Sequence, residues 1–300
     1  MELTNLSIGS DQMPDFWSHQ LASKKIKKLL KEKSPFFFKW DSSFDPYYYF
    51  GAQGPDFFFY INQPRFNRKK RYKSIGNHLH TTDIQSTFKS MLDYLSLHQT
   101  QALKAYVTGY ITHYILDLKC HPLICKWGPD SKSHKEIELV LDAMIVWRSE
   151  QMRIQDMSMK EWRFNPQVMT DEIGALWRHV LKECAIDEIP TPFYMQATKD
   201  MRIIQVILLK NIISSLPFVP LLSRVFNYDL KLLSYPESLT DQHYSMVDFD
   251  EFWEAYTQGI EISTLVLKQI DEVYTSHLSI ESIIEEYFKK DYLGEAIKNV

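Results

Sequence analysis

The stretch AYVTGYITHYILDLKCHPLI, Ala105 to Ile124, constrains the fold of this chain more than any other. Nearly every position is apolar or aromatic, so a helix here has no broad polar side to show to water and belongs in a core. Yet His113, Asp117 and His121 recur at every fourth residue. Positions i, i+4 and i+8 drift only slowly around a helix axis, so the three share one side. Imidazoles and a carboxylate on successive turns are a common way to hold a transition metal. A lone histidine in such a helix reads as a hydrogen-bonded core residue; three ligand types in register keep the metal reading open beside it. Pro122 follows His121 directly, and the residue before a proline is pushed away from helical geometry, so the spacing predicts that the helix ends there.

The rest of the chain carries the same helical character. Only 9 glycines occur in 300 residues, and apolar residues recur at helical spacing over long stretches. Helices are expected at Trp17–Lys33, capped by Asp15, from Thr82 or Asp83 to Leu97, at Thr100–Cys120 and at Ser133–Gln151. Further ones are expected at 172–186, 197–215, 248–275 and 279–298, for eight to ten in all. The aromatic runs between Ser34 and Pro64 suggest short strands, but GAQGPD in their middle is turn chemistry, and a packed irregular loop is expected. The fold class is therefore all-α, a multi-helix globular domain. Residues 1–12 read as a flexible leader, 13–150 as the helical core, and 151–300 as a helical part packed on the same domain.

Other ligand-type residues lie in the first half of the chain. In SHKEIELVLD, His134 and Glu138 are spaced i, i+4, with Asp142 one turn further on; alone this reads as a solvated helix face. Asp56 in the GPD of residues 54–56 alone reads as turn chemistry. HLH, His78 to His80, points its two rings to different sides if it is helical, so one of them serves a site. His19, near the start of the first helix, alone reads as a surface histidine. Together these elements offer five histidines and three carboxylates, enough for two or three metal ions. His98, His179, His243 and His277 have no such company and read as structural or surface residues.

Bulk properties exclude several classes. The net charge is −4 and the isoelectric point about 6.2, which argues against a general nucleic-acid binder. It leaves phosphate-ester chemistry open, because bound metals supply local positive charge. Cys120, Cys125 and Cys184 contain no CxxC and read as reduced thiols of a cytoplasmic protein. No secretory signal is read in MELTNLSIGSDQMPDFWSH. Met201 to Leu222 is the most apolar later stretch, but Arg202, Lys210, Pro217 and Pro220 interrupt it, and it reads as a buried helix rather than a transmembrane span. The lysines of residues 24–33 read as a solvated face, and NRKKRYK, Asn67 to Lys73, as an exposed basic segment.

Five pieces in order, MPDFWSH, GAQGPDFFFY, IGNHLH, AYVTGYITHYILDLKCHP and SHKEIELVLD, resemble the zinc-dependent phospholipase C family, whose superfamily includes single-strand-specific fungal nucleases. The resemblance covers about residues 13–145. It implies that Asp56, His80, His113 and Asp117 hold one zinc, and His121, His134 and Glu138 a second. His19 and Asp117 would help hold a third, with Asp117 bridging. His80 is preferred to His78 because the family's Gly-x-x-x-His spacing runs from Gly76. Asp56 falls where the family's water-activating carboxylate lies. The chain departs from secreted members, whose mature N-terminal tryptophan binds the third zinc through its free amino group and carbonyl. Trp17 is internal and has no free amino group, so the count stays at two or three ions.

The activity implied is phosphodiester hydrolysis of phospholipase C type on a phospholipid or another phosphodiester. Zinc ions can lower the pKa of water to about 7 and bracket a phosphate. The partners implied are the substrate and peripheral membrane contact, without a stable nucleic-acid complex. A nuclease or phosphatase on the same scaffold, with NRKKRYK as a phosphate contact, and a non-catalytic metal-stabilised binding protein are the alternatives. Phe57 to Tyr60 reads equally as a ligand pocket or as core, and Tyr106, Tyr110 and Tyr114 as core packing that also borders the ligands.

Overall fold

The computed structural model describes residues 16–31, 40–60, 70–158, 171–186, 189–211, 218–226, 229–276 and 279–297, with 169, 213 and 216. In chain order the helices are α1 (Phe16–Lys31), α2 (Asp45–Gly51), α3 (Phe57–Tyr60), α4 (Lys70–Thr81), α5 (Ile84–Leu97), α6 (Gln101–Trp127) and α7 (Ser131–Glu150). They continue with α8 (Asp171–Glu183), α9 (Thr191–Leu209), α10 (Val219–Phe226), α11 (Asp241–Met246), α12 (Phe249–Ser276) and α13 (Ile280–Tyr287). The all-α expectation holds, with thirteen α-helices and no strand among the described residues. That is more than the eight to ten expected, because short helices give too few turns for apolar periodicity to be read.

Helix α6 is the axis of the packing. The Thr100 hydroxyl accepts the Leu103 amide at its start, and every residue from Ala105 to Asp117 is buried. Helix α2 crosses it at van der Waals distance through two glycines. A Cβ on Gly51 would lie 2.0 Å from the Tyr106 carbonyl oxygen, and one on Gly109 would lie 2.1 Å from that of Tyr48. Helix α12 lies along α6 as well, with Gly259 against Leu116. Helix α7 begins with a capping box in which the Asp130 carboxylate accepts the Ser133 amide and the Ser133 hydroxyl accepts the Asp130 amide.

Aromatic side chains seal one side of α6. Trp177 of α8 meets Phe57 and Phe58 edge-on at 5.5 and 5.2 Å and donates its indole N–H to the Tyr106 hydroxyl at 2.8 Å. Each such ring pair adds about 0.5–1.5 kcal/mol beyond its buried area. Phe57 to Tyr60 are all buried, which resolves that run as core. Tyr110 and Tyr292 join hydroxyl to hydroxyl at 3.1 Å, and Tyr114 donates to the Lys290 carbonyl at 2.8 Å.

Four expectations are corrected. Helix α6 runs through Pro122 and ends at Trp127. Pro122 removes a single donor on an exposed position, while the turn beyond it buries Ile124, whose carbonyl accepts the Gly128 amide at 2.8 Å. The aromatic region is helical where described, in α2 and α3, joined by the turn of residues 52–56. Pro46 supplies the fixed φ suited to the first turn of α2. Helix α9 starts at Thr191 rather than 197 for the same reason, with Pro192 in its first turn. Helix α13 stops at Tyr287, and an isolated bridge pairs Lys290 with Ala296. The leader, Asp15, His277 and the side chains of NRKKRYK lie outside the described residues.

The glycine crossing yields a prediction. Gly109→Ala is expected to destabilise the fold by at least about 3 kcal/mol, the upper end of overpacking costs, because the obstacle is backbone rather than a flexible side chain. Urea denaturation followed by circular dichroism measures this.

Candidate metal centre

Asp117 sits at the middle of the α6 stripe, 4% exposed. Its Oδ1 lies 3.1 Å from His19 Nε2, and its Oδ2 lies 3.1 Å from His113 Nε2 and 3.8 Å from His121 Nδ1. One buried carboxylate thus meets three imidazoles from α1 and α6. Burial opposes ionisation of Asp117, but His113, His121 and His19 hold its carboxyl below the ordinary carboxylate range.

The turn between α2 and α3 brings in Asp56. Its Oδ1 meets His80 Nε2 at 2.9 Å, and its Oδ2 lies 3.5 Å from His113 Nε2. Helix α4 supplies His80, whose Nδ1–H donates to the Gly76 carbonyl one turn earlier at 2.7 Å. That bond fixes the ring and leaves the Nε2 lone pair facing the cluster, an arrangement common in metal-bound histidines. His78, two positions earlier, diverges as expected and pairs with Asp83.

Helix α7 completes the constellation. His134 Nε2 is 3.1 Å from Glu138 Oε1, and His121 Nε2 reaches the same oxygen at 3.8 Å. His121 Nδ1–H donates to the Tyr292 carbonyl at 3.2 Å, again leaving Nε2 toward the carboxylate. Burial opposes ionisation of Glu138, but the ammonium of Lys135 and the ring of His134 hold its carboxyl below the ordinary range.

The structure therefore gathers all eight sequence candidates into three buried groups: His19–His113–Asp117, Asp56–His80–His113 and His121–His134–Glu138. In each group one ligand atom per residue lies within 4.8 Å of the others. The first two share His113, which links them as Asp117 links the rings along α6. Burial pushes the His113 imidazole down to about 4, so it is neutral at physiological pH. Neither of its nitrogens makes a hydrogen bond, nor does Asp56 Oδ2, although all three atoms are buried. Leaving such groups unpaired costs about 1–3 kcal/mol each. His113 Nε2 faces two carboxylate oxygens at 3.1 and 3.5 Å without hydrogen-bond alignment. Neutral imidazole and carboxylate lone pairs converging on shared space are a donor set that fits a divalent transition metal.

Two neighbours, Lys135 and Tyr292, escaped the sequence reading, in which Asp142 reads as part of a solvated helix face. Lys135 is buried, with Nζ 3.3 Å from Glu138 Oε2; its i, i+3 spacing was the available signal. Tyr292 packs against His80 with ring centroids 4.5 Å apart and planes tilted by 50°, and it comes from the far end of the chain, where no local pattern marks it. Asp142 shares a side of α7 with Glu138 and is fully buried. Of the other histidines, His98 and His179 pack on Tyr94, and His243 caps α11. A surface groove of about 730 Å³ is lined by Lys24, Lys25, Lys28, Arg148 and Trp253 and by none of the eight candidates.

An all-α fold with clustered imidazoles and carboxylates between core helices defines a helical protein whose buried side chains could hold metal ions. The chain belongs to the zinc dependent phospholipase C family, whose family model matches residues 18–178. No curated protein and no solved structure matches it significantly. Membership supports a zinc phosphodiesterase-type function, and no described helix is long and apolar enough to cross a membrane.

Gly54 guards the centre. Its φ is +53°, and a Cβ there would lie 1.9 Å from His113 Cδ2 and 2.3 Å from Nε2. Gly54→Ala is expected to displace the His113 ring and weaken zinc binding by more than about tenfold, on the scale of lost ligand orientation. Competition with a chelating dye measures the change.

Proposed function

We propose that this protein is a zinc-dependent phosphodiester hydrolase of phospholipase C type. The observation that carries the reading is the gathering of eight ligand-type side chains into three buried groups, two of which share His113, in a chain of that family. In this assignment Asp56, His80, His113 and Asp117 hold one zinc, and His121, His134 and Glu138 a second. His19 and Asp117 take part in a third, so Asp117 would bridge two ions. Zinc, when bound there, supplies Lewis acidity that acidifies water and neutralises charge on the phosphoryl oxygens.

The chain's own residues supply the rest. Asp56 is the catalytic residue: its Oδ1 lies 2.9 Å from His80 Nε2, and its Oδ2 makes no hydrogen bond, leaving that oxygen to accept a proton from the attacking water. The water oxygen forms the new bond to phosphorus as the ester P–O bond breaks. The leaving oxygen then takes up the proton, giving an alcohol and a phosphomonoester. The buried turn between α2 and α3 holds Asp56 and helix α4 holds His80, so their geometry is set before substrate arrives.

Residues 13–150 carry the ligands in this reading, and described residues of the later half pack against them, as Tyr292 does at His80 and His121. The substrate is a phospholipid or a related phosphodiester, reached by peripheral contact with a membrane. Three free cysteines support a cytoplasmic location.

Metal analysis of the purified chain tests the reading. Two or three zinc ions per chain are expected, with Asp117→Ala and His113→Ala each lowering zinc content and thermal stability. A chain that binds essentially no zinc overturns it. Hydrolysis is then compared on phosphatidylcholine, a chromogenic phosphodiester and single-stranded DNA. Cleavage of the first two, abolished by a chelator and restored by zinc, is the expected outcome; preference for DNA would move the assignment to a nuclease.

A further inference from the structure

Asp142 lies one turn beyond Glu138 on the same side of α7, yet its carboxylate serves a different task. It is fully buried. Its Oδ2 accepts the Trp17 amide N–H at 2.9 Å and the Tyr235 hydroxyl at 2.9 Å. Its Oδ1 accepts the Ser18 amide N–H at 2.7 Å and also the Ser18 hydroxyl. Helix α1 begins at Phe16, so both amides belong to its first turn, where N–H groups have no partner inside their own helix. A cap of this kind usually comes from the residue at the helix start. Here it comes from another helix, 124 and 125 positions away in sequence. The negative charge also suits the positive end of the α1 dipole.

The next residue is His19. Its Nε2 lies 3.1 Å from Asp117 Oδ1, and its ring packs on His113 with centroids 4.3 Å apart. Tyr256 of α12 donates to the Ser18 carbonyl at 2.9 Å, so both backbone groups of Ser18 are bonded by side chains from other helices. We propose that Asp142 is a positioning residue: it clamps the first turn of α1 to α7 so that the His19 imidazole meets Asp117. The same clamp commits the Trp17 and Ser18 amides to a carboxylate. The His19 corner of the cluster therefore draws on side chains, not on those two backbone nitrogens. The consequence for zinc rests on the function proposed above; the positioning of His19 does not.

The test uses the full chain, with and without zinc. Asp142→Asn loses one acceptor oxygen and turns an amide toward donors. It is expected to shift the His19 ring nitrogen resonances of the zinc-stripped protein to those of a freely exposed imidazole. With zinc, it weakens one ion by roughly 10- to 100-fold and leaves the rest in place. Tyr235→Phe removes a bond to the same carboxylate without touching α1; it is expected to lower stability while keeping the His19 resonances and the zinc count. Unchanged His19 resonances in folded Asp142→Asn overturn the proposal. So does an equal loss of zinc in Asp142→Asn and Tyr235→Phe, which marks general destabilisation. If Asp142→Asn does not fold, Asp142→Glu, which keeps a carboxylate but displaces it by one methylene, takes its place: shifted His19 resonances support the clamp, and unchanged ones overturn it. A wild-type chain that binds no zinc, but whose His19 resonances depend on Asp142, would overturn the metalloenzyme reading and leave the positioning role standing.

Discussion

A carboxylate inside a helical core is tolerable only where other groups answer its charge, because removing it from water costs several kcal/mol. Asp117 is that carboxylate, and the arrangement of α1, α6 and the α2–α3 turn follows from answering it. His113 and His121 flank it on its own helix, and His19 reaches it from α1. The rings alone do not satisfy the cluster, since His113 and Asp56 keep buried atoms without hydrogen bonds. A divalent cation answers both demands at once, by neutralising charge and accepting the lone pairs.

Close backbone approach makes the cluster possible. Gly51 and Gly109 let α2 lie against α6, which brings the following turn, with Asp56, over His113. Gly54 then adopts a positive φ with the His113 ring where its own side chain would be. The same glycines that leave no room for a Cβ therefore set the reach of the Asp56 carboxylate. Rigidity also comes from outside the ligands. Gly76 and Tyr292 offer carbonyls to His80 and His121, and Asp142 holds the turn that carries His19.

Much of the site was legible in the sequence because ligands on one helix obey a fixed period. His113, Asp117 and His121 on α6, and His134 and Glu138 on α7, declare themselves by i, i+4 spacing. Helix geometry allowed only one of His78 and His80 to serve the site, and the family resemblance, through the spacing from Gly76, selected His80. Short elements were less legible: α2, α3 and α11 span too few turns to show a periodic apolar face. Pro122 misled for a different reason. The local preference against helix is about one residue's conformation, whereas the buried turn after it gains packing that a sequence window does not see.

By itself the sequence determined the all-α class, the burial of α6 and the ligand types lined up along its side, because side-chain chemistry and a 3.6-residue repeat are local properties. Only the tertiary structure decided which stripes face one another. It brought His19, Asp56 and His80 onto the α6 stripe, made Lys135 a buried partner of Glu138, and turned Asp142 from an apparent surface charge into the cap of a distant helix. Those outcomes depend on helix crossings set by packing across the whole core, and no local spacing encodes them.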